Sequence, residues 1–453
     1  MRPNRRFSLT AVLASGLLLL PLMPSPVFSQ ASAMEIQEAI DGDTLLLHVE
    51  RLARTPRPPA TETEFAAAVY VENALRSYGY QTVLQPFTYY TYREPSALSL
   101  SVEGWKGAAF EARGFTYGPN GIGTGEIADC GLGTAADFQS GKARGKIALV
   151  RRGSTTFAEK VRQAAAAGAV AAIVWNDRDD ALKGTLGEPL DMSVPVIMLS
   201  KQQGERLREQ MKKQAVKATV KVDGGLSIRQ TSYNIVATRK PESQGTGQIV
   251  LVTAHHDSAV KSPGANNGAS GVAVLLEVAR LLADKPTDTE VRLVSFGAAS
   301  AGEQGPIAFV EGLTEKETKA MVAAYCLDAV GSVDAGVLTV SDPSGSRNVP
   351  VTLAEANGAV FSTAWNDRAE ASGDHLPLAA AGIPVAFLTR APSDAWRDQP
   401  EDTIEKISAD RLIETAETVY AAVAEMTDPQ TPAYAVSTGK ISGGKTLERE
   451  AVQ

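Results

Sequence analysis

Runs of nearly continuous apolar residues alternate with amphipathic stretches along the C-terminal half of the chain, from Tyr233 onward. The runs QIVLVTA, VRLVSF, MVAAYCL and PVAFLTR have the length of strands, whereas SGVAVLLEVARLL and residues 410–426 have helical periodicity. Strands without polar alternation are typical of a parallel sheet that is covered on both faces. The pattern therefore predicts an α/β domain of three layers, with helices on either side of a mostly parallel central sheet.

The N-terminal half has a different texture on either side of Pro95. Residues 35–79 predict two helices, the second from Glu64 to Tyr78, and the strand-like TVLQPFTYYTY follows. After Pro95 come the short apolar runs KIALVRR, AVAAIVW and PVIML, the glycine-rich approach GPNGIGTGEI and one alanine-rich helix, FAEKVRQAAAAGA. We expect residues 93–225 to form a smaller α/β domain inserted into a discontinuous main domain, residues 34–92 and 226–430. Residues 431–453 lack apolar periodicity and predict a flexible tail.

The first 33 residues have the three parts of a secretory signal peptide. A basic MRPNRR precedes an apolar run, and small residues at 31–33 offer a cleavage site. Cleavage after Ser29 is an alternative, and so is an uncleaved membrane anchor, although three prolines interrupt the run. The segment predicts a secreted protein, extracellular or periplasmic, that does not contact the membrane once the signal is removed.

Composition limits the classes of partner and the disulfide bonds that the protein can have. The formal net charge is −8, which gives no basis for binding nucleic acid. The chain has two cysteines, Cys130 and Cys326, in different predicted domains, so no disulfide between them is expected. The protein must therefore depend on its apolar cores for stability.

The candidate chemistry begins at the end of the run IVLVTA. His255 and Asp257 stand two residues apart, so their side chains project to one side of a strand. A metal-binding imidazole commonly hydrogen-bonds a carboxylate through its other ring nitrogen. The spacing predicts a metal ligand with its orienting carboxylate. The alternative is a buried imidazole that Asp257 satisfies without a metal. His256 should point the opposite way and be structural.

Several motifs, in their order along the chain, resemble the co-catalytic two-zinc aminopeptidase family, which also contains glutamate carboxypeptidases and the non-catalytic transferrin receptor. The likeness covers residues 35–92 and 229–428. The insertion is similar to a protease-associated domain in ADCGLGTAADF, GKIALVRRG and FAEKVRQAAAAGAVAAIVWND. The resemblance implies the aminopeptidase-like three-layer fold, bound zinc and a peptide substrate. It also implies that the insertion gates the cleft or binds partners.

By this resemblance, the chain retains some residues of the family's site. His255 matches the first zinc-ligand histidine, Asp257 its orienting acid, and Asp328 in CLDAVG a ligand aspartate. Asp374 and His375 in SGDHLPLAAAGIP match a segment beside the substrate pocket. For each of these residues a structural role is the alternative.

The remaining positions are substituted. Asn267 in GANNGASG stands where the family has its bridging aspartate, and Asp398 in RDQPEDT stands where it has the last ligand histidine. In FGAASAGEQG, Ala299 takes the place of the general-base glutamate and Ser300 that of a ligand glutamate. Deamidation at Asn267-Gly268 is one hypothetical route back to a carboxylate.

These substitutions affect both metals and the base. In the family, two zinc ions hold and acidify a water whose proton the glutamate takes, and loss of a general base alone costs roughly 10²–10⁴ in rate. We expect a catalytically inactive or strongly impaired homologue that binds a peptide or protein. Zinc would be lost or held at one weak site of His255, Asp328 and Asp398.

Two enzymatic alternatives remain. One is an active metallo-aminopeptidase that releases N-terminal amino acids through a rebuilt metal site, with Glu303 as a substitute base. The other is a serine hydrolase, which is disfavoured because no G-x-S-x-G elbow surrounds any serine.

Overall fold

The computed structural model describes residues 39–180, 183–191, 193–241, 245–363 and 372–434. The predicted signal peptide, residues 1–33, lies outside the described residues, as does the predicted tail beyond residue 434. No helix in the described ranges has both the length and the apolar character needed to cross a membrane.

The described strands and helices follow one another along the whole chain. The strands are β1 (Gln81–Arg93), β2 (Ala97–Val102), β3 (Gly121–Asp129), β4 (Ile147–Arg151), β5 (Ala171–Trp175), β6 (Val196–Leu199), β7 (Lys217–Asp223), β8 (Leu226–Arg239), β9 (Ile249–His255), β10 (Glu290–Phe296), β11 (Met321–Leu327), β12 (Val337–Ser341), β13 (Val360–Phe361) and β14 (Val385–Ala391). The helices are α1 (Gly42–Leu52), α2 (Glu62–Ser77), α3 (Ala135–Phe138), α4 (Phe157–Ala166), α5 (Lys201–Met211), α6 (Gly271–Leu282), α7 (Gln304–Glu311), α8 (Glu315–Ala320), α9 (Val349–Ala356), α10 (His375–Ala380) and α11 (Ala409–Thr427).

The main sheet has eight strands in the order β1-β8-β10-β9-β11-β14-β12-β13. Its centre is parallel, because β9 pairs in parallel with β10 and β11, and β11 with β14. Antiparallel pairs lie toward the edges, at β1 with β8, β8 with β10, and β12 with β14. The α/β fold with a parallel centre is as expected from the apolar runs, and the antiparallel strands lie outside that centre.

Strand β9 shows why its sequence is apolar throughout. Val250, Val252 and Ala254 belong to the core on one face of the sheet, while Ile249 and Leu251 belong to the core on the other. Helix α6 packs on the first face beside α1 and α11, and α10 packs with α7 on the second. Both faces of the strand are therefore covered, and every side chain of β9 is buried.

The chain leaves the main sheet and returns to it at one place. Arg93 ends β1 and pairs with Leu226, which begins β8. Between them a second sheet forms, in the order β2-β7-β3-β4-β5-β6, with its own apolar cores. The glycine-rich GPNGIGTGEI contributes β3, a strand of this sheet that the sequence did not predict. A Cβ at Gly123 in β3 would lie 2.3 Å from the Val170 carbonyl oxygen, so the glycine permits that close approach.

The two cysteines lie in separate cores. Cys130 follows β3 in the second sheet's core, and Cys326 lies within β11 of the main sheet. Both are buried and unpaired thiols.

Candidate functional site

The matched motif residues converge at the carboxyl edge of the parallel strands. His255 is the last residue of β9, Ala299 and Ser300 lie in a short turn after β10, and Asp328 directly follows β11. Neighbouring parallel strands end on the same side of a sheet, which is where open α/β folds place their ligands. His255 and Asp328 are buried, whereas Ser300 and Asp398 are exposed, so the site is open to solvent from the side of these two residues.

His255 lies among oxygen atoms. Its Nδ1 is 3.3 Å from Asp257 Oδ1, and its Nε2 is 3.2 Å from Asn267 Oδ1 and 3.5 Å from Asp328 Oδ1. Burial would lower the pKa of His255, but the carboxylates of Asp257 and Asp328 raise it well above its usual range. Both ring nitrogens thus face acceptors, an arrangement that favours the doubly protonated imidazolium.

Asp257 ties the strand end to the turn after β10. Its Oδ1 accepts from the Ala299 amide at 3.1 Å, and its Oδ2 accepts from the Ser300 amide at 2.8 Å and from the Ser300 hydroxyl at 2.5 Å. Burial would raise the pKa of Asp257, yet the His255 ring and the Ser300 hydroxyl lower it to about 2. The Ser300 side chain is therefore turned toward Asp257, as its hydrogen-bond donor.

Asn267 sits in a tight turn between β9 and α6. Gly268 has φ +104°, and a Cβ there would lie 2.7 Å from the Asp257 carbonyl oxygen, so glycine alone fits this close approach. The Asn267 side chain presents Oδ1 to His255 and donates from Nδ2 to Asp398 Oδ1 at 2.7 Å. Asp398 is exposed and has φ +61°. It is connected to His255 through the Asn267 side chain.

Asp402 holds the backbone of that turn, a role the sequence analysis missed. Its two carboxylate oxygens accept from the amides of Asn266 at 2.7 Å and Asn267 at 3.0 Å. Burial raises the pKa of Asp402 to about 6, although these hydrogen bonds act against the shift. The available signal was its place as the last acid of RDQPEDT, the segment that also supplies Asp398.

Asp328 is paired with an arginine, which the sequence analysis also missed. Arg397 Nη2 donates to Asp328 Oδ2 at 2.7 Å. Burial would raise the pKa of Asp328, but Arg397 and His255 hold it well below the usual range. The signal for Arg397 was a basic residue next to the substituted ligand position 398 within an acidic segment.

Asp374, His375 and Glu303 lie beside this centre. Asp374 is buried, which raises its pKa to about 7, and it interacts electrostatically with His255 and Asp328. The His375 ring stacks on Phe387 of β14 with the ring centroids 4.0 Å apart. Glu303 accepts from the Gly373 amide at 3.0 Å, next to Asp374, and burial raises its pKa.

Ala299 stands where the family resemblance puts a general base. Its amide binds Asp257, and its side chain is a methyl group, which accepts no proton. His256 is buried on the opposite side of the strand end, where Nδ1 lies 3.0 Å from Ser295 Oγ. Burial lowers the pKa of His256 to about 3, so it is a neutral structural residue.

The donor set does not fit a two-zinc centre. Zinc needs lone pairs from imidazole, thiolate or carboxylate groups, but Asn267 turns an N–H toward Asp398 and a guanidinium occupies Asp328 Oδ2. The hydroxyl of Ser300 is engaged by Asp257. Within the described ranges, no group of three or more His, Cys, Asp or Glu side chains could hold a metal ion. Asp398, the third residue of the weak site expected from the sequence, here accepts a hydrogen bond from Asn267 Nδ2.

A separate cavity of about 540 Å³ lies against the second sheet, away from these residues. Glu94, Arg113, Lys183 and Met198 are among the residues that line it. None of the residues matched to the family's site contributes to this cavity.

Comparison with known protein families and sequences agrees with a main domain that carries an inserted second domain. Residues 234–423 match the model of peptidase family M28, and residues 123–207 match that of the PA domain. The chain is 33% identical to aminopeptidase YwaD of Bacillus subtilis over 92% of each chain. It is 28% identical to a probable lipoprotein aminopeptidase, LpqL, of Mycobacterium tuberculosis, over 83% of this chain and 80% of that one.

Solved structures agree. An aminopeptidase from Aneurinibacillus sp. strain AM-1 is 35% identical, covers 89% of this chain and 98% of its own, and superposes with a TM-score of 0.61. BSAP, a zinc aminopeptidase from Bacillus subtilis, is 30% identical with a TM-score of 0.55, over 87% of this chain and 97% of its own. With its parallel sheet, its convergent motif residues and these relatives, the chain belongs to peptidase family M28 and carries an inserted PA domain.

Proposed function

We propose that this protein is an exported M28 homologue that binds a peptide or protein at the carboxyl edge of its main sheet and does not cleave it. The observation that carries the proposal is the pairing of the retained acids with protein donors. Asp257 is held by Ser300, and Asp328 by Arg397. In a working two-zinc centre the acid at position 328 would face a metal.

The missing base supports the same conclusion. A water held at this edge would have to lose a proton to attack a carbonyl carbon, and position 299 offers a methyl group. General-base catalysis is worth roughly 10²–10⁴ in rate. Together with the loss of carboxylate or imidazole at positions 267, 300 and 398, this removes groups on which both metals and the proton transfer depend.

Retained features support binding. The fold keeps a centre that is buried at His255 and Asp328 and open to solvent at Ser300 and Asp398. Its donors and acceptors suit the carbonyl and amide groups of a peptide backbone. Export rests on the N-terminal signal, and the PA domain would control access to the site or contact a partner.

One observation favours a second function, an active aminopeptidase with a rebuilt metal site. Relatives that match most of this chain are named aminopeptidases. Glu303, whose pKa is raised by burial, is the carboxyl group that would serve as its base.

Two measurements on the purified protein separate these functions. The first is calorimetric titration with the tripeptide Leu-Gly-Gly in EDTA, for which binding without metal is expected. The second is turnover of leucine p-nitroanilide with added zinc, for which no rate above the buffer is expected. Zinc-dependent turnover that Glu303→Gln abolishes would establish the second function.

A reverted protein provides the positive control. The five changes Asn267→Asp, Ala299→Glu, Ser300→Glu, Asp398→His and Arg397→Ala together restore the family's ligand and base types and free Asp328 from its guanidinium partner. This variant should bind zinc and gain turnover that the wild type lacks. Turnover by the wild type that equals that of this variant and exceeds the buffer rate would contradict the proposal.

A further inference from the structure

Arg397 occupies a position that a metal would need. Its Nη2 lies 2.7 Å from Asp328 Oδ2, and the two side chains are 18% and 6% exposed. Asp328 Oδ1 is in turn 3.5 Å from His255 Nε2. The guanidinium is thus hydrogen-bonded to the same carboxylate that lies next to the retained His255 imidazole. A guanidinium is permanently charged and has no lone pair, so it replaces a cation and cannot be a ligand.

The guanidinium still has donor capacity. Within the part of the chain that the structure describes, Arg397 Nη1 is buried and has no hydrogen-bond partner. Nη1 is bonded to the same carbon as Nη2, so it lies beside Asp328 in the centre. Asp328 Oδ1 and Asp374 Oδ1 are also buried there without a hydrogen-bond partner among the described residues. Buried polar atoms are rarely left unpaired in folded proteins, so such a group marks a place that a ligand or water completes.

The charges around Arg397 indicate what kind of ligand fits. Asp328, Asp394 and Asp398 all interact electrostatically with the guanidinium. The negative charge of these acids disfavours an anionic ligand at the free donor. A neutral acceptor, such as a peptide carbonyl oxygen, can take the hydrogen bond without bringing a further negative charge.

We propose that the Arg397 guanidinium has replaced the metal as the cation of this site, and that its Nη1 donates to a carbonyl oxygen of the bound peptide. The first part concerns the protein alone. The second part rests on the proposed function, because it needs a peptide to bind.

A zinc titration tests the first part. By calorimetry at pH 7.5, the wild type should show no zinc site. Arg397→Ala should gain one, at least tenfold tighter than any wild-type binding, because Asp328 is then free to act as a ligand beside His255. Arg397→Lys keeps the charge and should remain without zinc. Arg347→Ala is the matched control, since Arg347 pairs with Glu355 away from the site. Equal zinc binding by wild type and Arg397→Ala would overturn the replacement.

A titration with Leu-Gly-Gly in EDTA tests the second part. Arg397→Ala should weaken binding at least tenfold, and Arg397→Lys, which retains a donor, should weaken it less. Unchanged affinity in Arg397→Ala would overturn the assignment of Nη1 and leave the proposed function intact. If the wild type does not bind Leu-Gly-Gly, both the proposed function and the assignment of Nη1 are overturned. The zinc titration would still decide the first part. Thermal unfolding of each variant identifies loss of fold, and Arg397→Gln is the second neutral variant if alanine does not fold.

Discussion

The Ser300 hydroxyl lies 2.5 Å from Asp257 Oδ2 and donates a hydrogen bond to it. The residue at one of the family's ligand positions thereby donates a hydrogen bond to the neighbouring acid. The bond joins the end of β9 to the turn after β10, and it places a structural contact where the family resemblance calls for a metal ligand.

Removing that hydroxyl should destabilise the fold modestly. Ser300→Ala loses a hydrogen bond to a buried carboxylate, while the backbone amides of Ala299 and Ser300 remain on Asp257. We expect a loss of about 1–2 kcal/mol in the free energy of unfolding by urea. Ser77→Ala is the matched control, because its hydroxyl donates to a carbonyl at an exposed position. An equal loss in both variants would contradict the role of the Asp257 contact.

Glu64 should make stability fall as the pH rises. Its carboxylate accepts from the Ser232 hydroxyl at 2.7 Å, the Ala298 amide at 2.8 Å and the Ala60 amide at 2.6 Å. Burial, with a smaller contribution from Asp257, raises the pKa of Glu64 to about 7. The folded state therefore keeps the proton to a higher pH than the unfolded chain does. This contribution is complete below about pH 4.5 and is lost as the pH rises through about 7.

The measurement is urea unfolding of wild type and Glu64→Gln at several values between pH 4.5 and 8. Glutamine imitates the protonated acid, so the variant should lose less stability across this range, by a difference on the order of 3 kcal/mol at most. Glu62→Gln changes an exposed residue of the same helix and should leave the wild-type profile unchanged. Parallel profiles for wild type and Glu64→Gln would show that Glu64 does not titrate in this way.

Gly305 should tolerate no side chain. A Cβ there would lie 2.1 Å from the Gly297 carbonyl oxygen and 2.5 Å from Asn234 Oδ1. Gly305→Ala must displace the backbone that leads into the Ala299 turn, at a cost of roughly 1–3 kcal/mol or more. At Gly312, at the other end of α7, the nearest atom would be 3.4 Å away and φ is −81°, so Gly312→Ala should be nearly neutral. Similar unfolding midpoints for the two variants would refute this prediction.

Neither cysteine should react in the folded protein. Burial raises the pKa of Cys130 to about 11 and that of Cys326 further, and a thiol reacts as its thiolate. A colorimetric disulfide reagent at pH 8 should therefore label no thiol in the native protein and both in denaturant. Two thiols found in the denatured, unreduced protein also confirm the absence of a disulfide. Rapid labelling of the native protein would contradict the burial of these residues.

The sequence by itself determined the fold class and the sheet edge at which the matched motif residues meet. Apolar runs such as IVLVTA require cover on both faces, and this fixes a sandwiched sheet whatever the details of packing. Because β9 and β11 are parallel, the same pattern brings His255 and Asp328 to one edge. The substitutions at Asn267, Ala299, Ser300 and Asp398 are visible directly, since a motif compares residue types position by position.

Tertiary structure decided which partners the buried polar side chains find. The pairing of Arg397 with Asp328 joins residues 69 positions apart, and the hold of Asp402 on Asn267 joins residues 135 apart. Glu64 reaches Ala298 across 234 positions. Local periodicity carries no information on such contacts, because they depend on which loops meet at the sheet edge and on how each buried charge finds its partner.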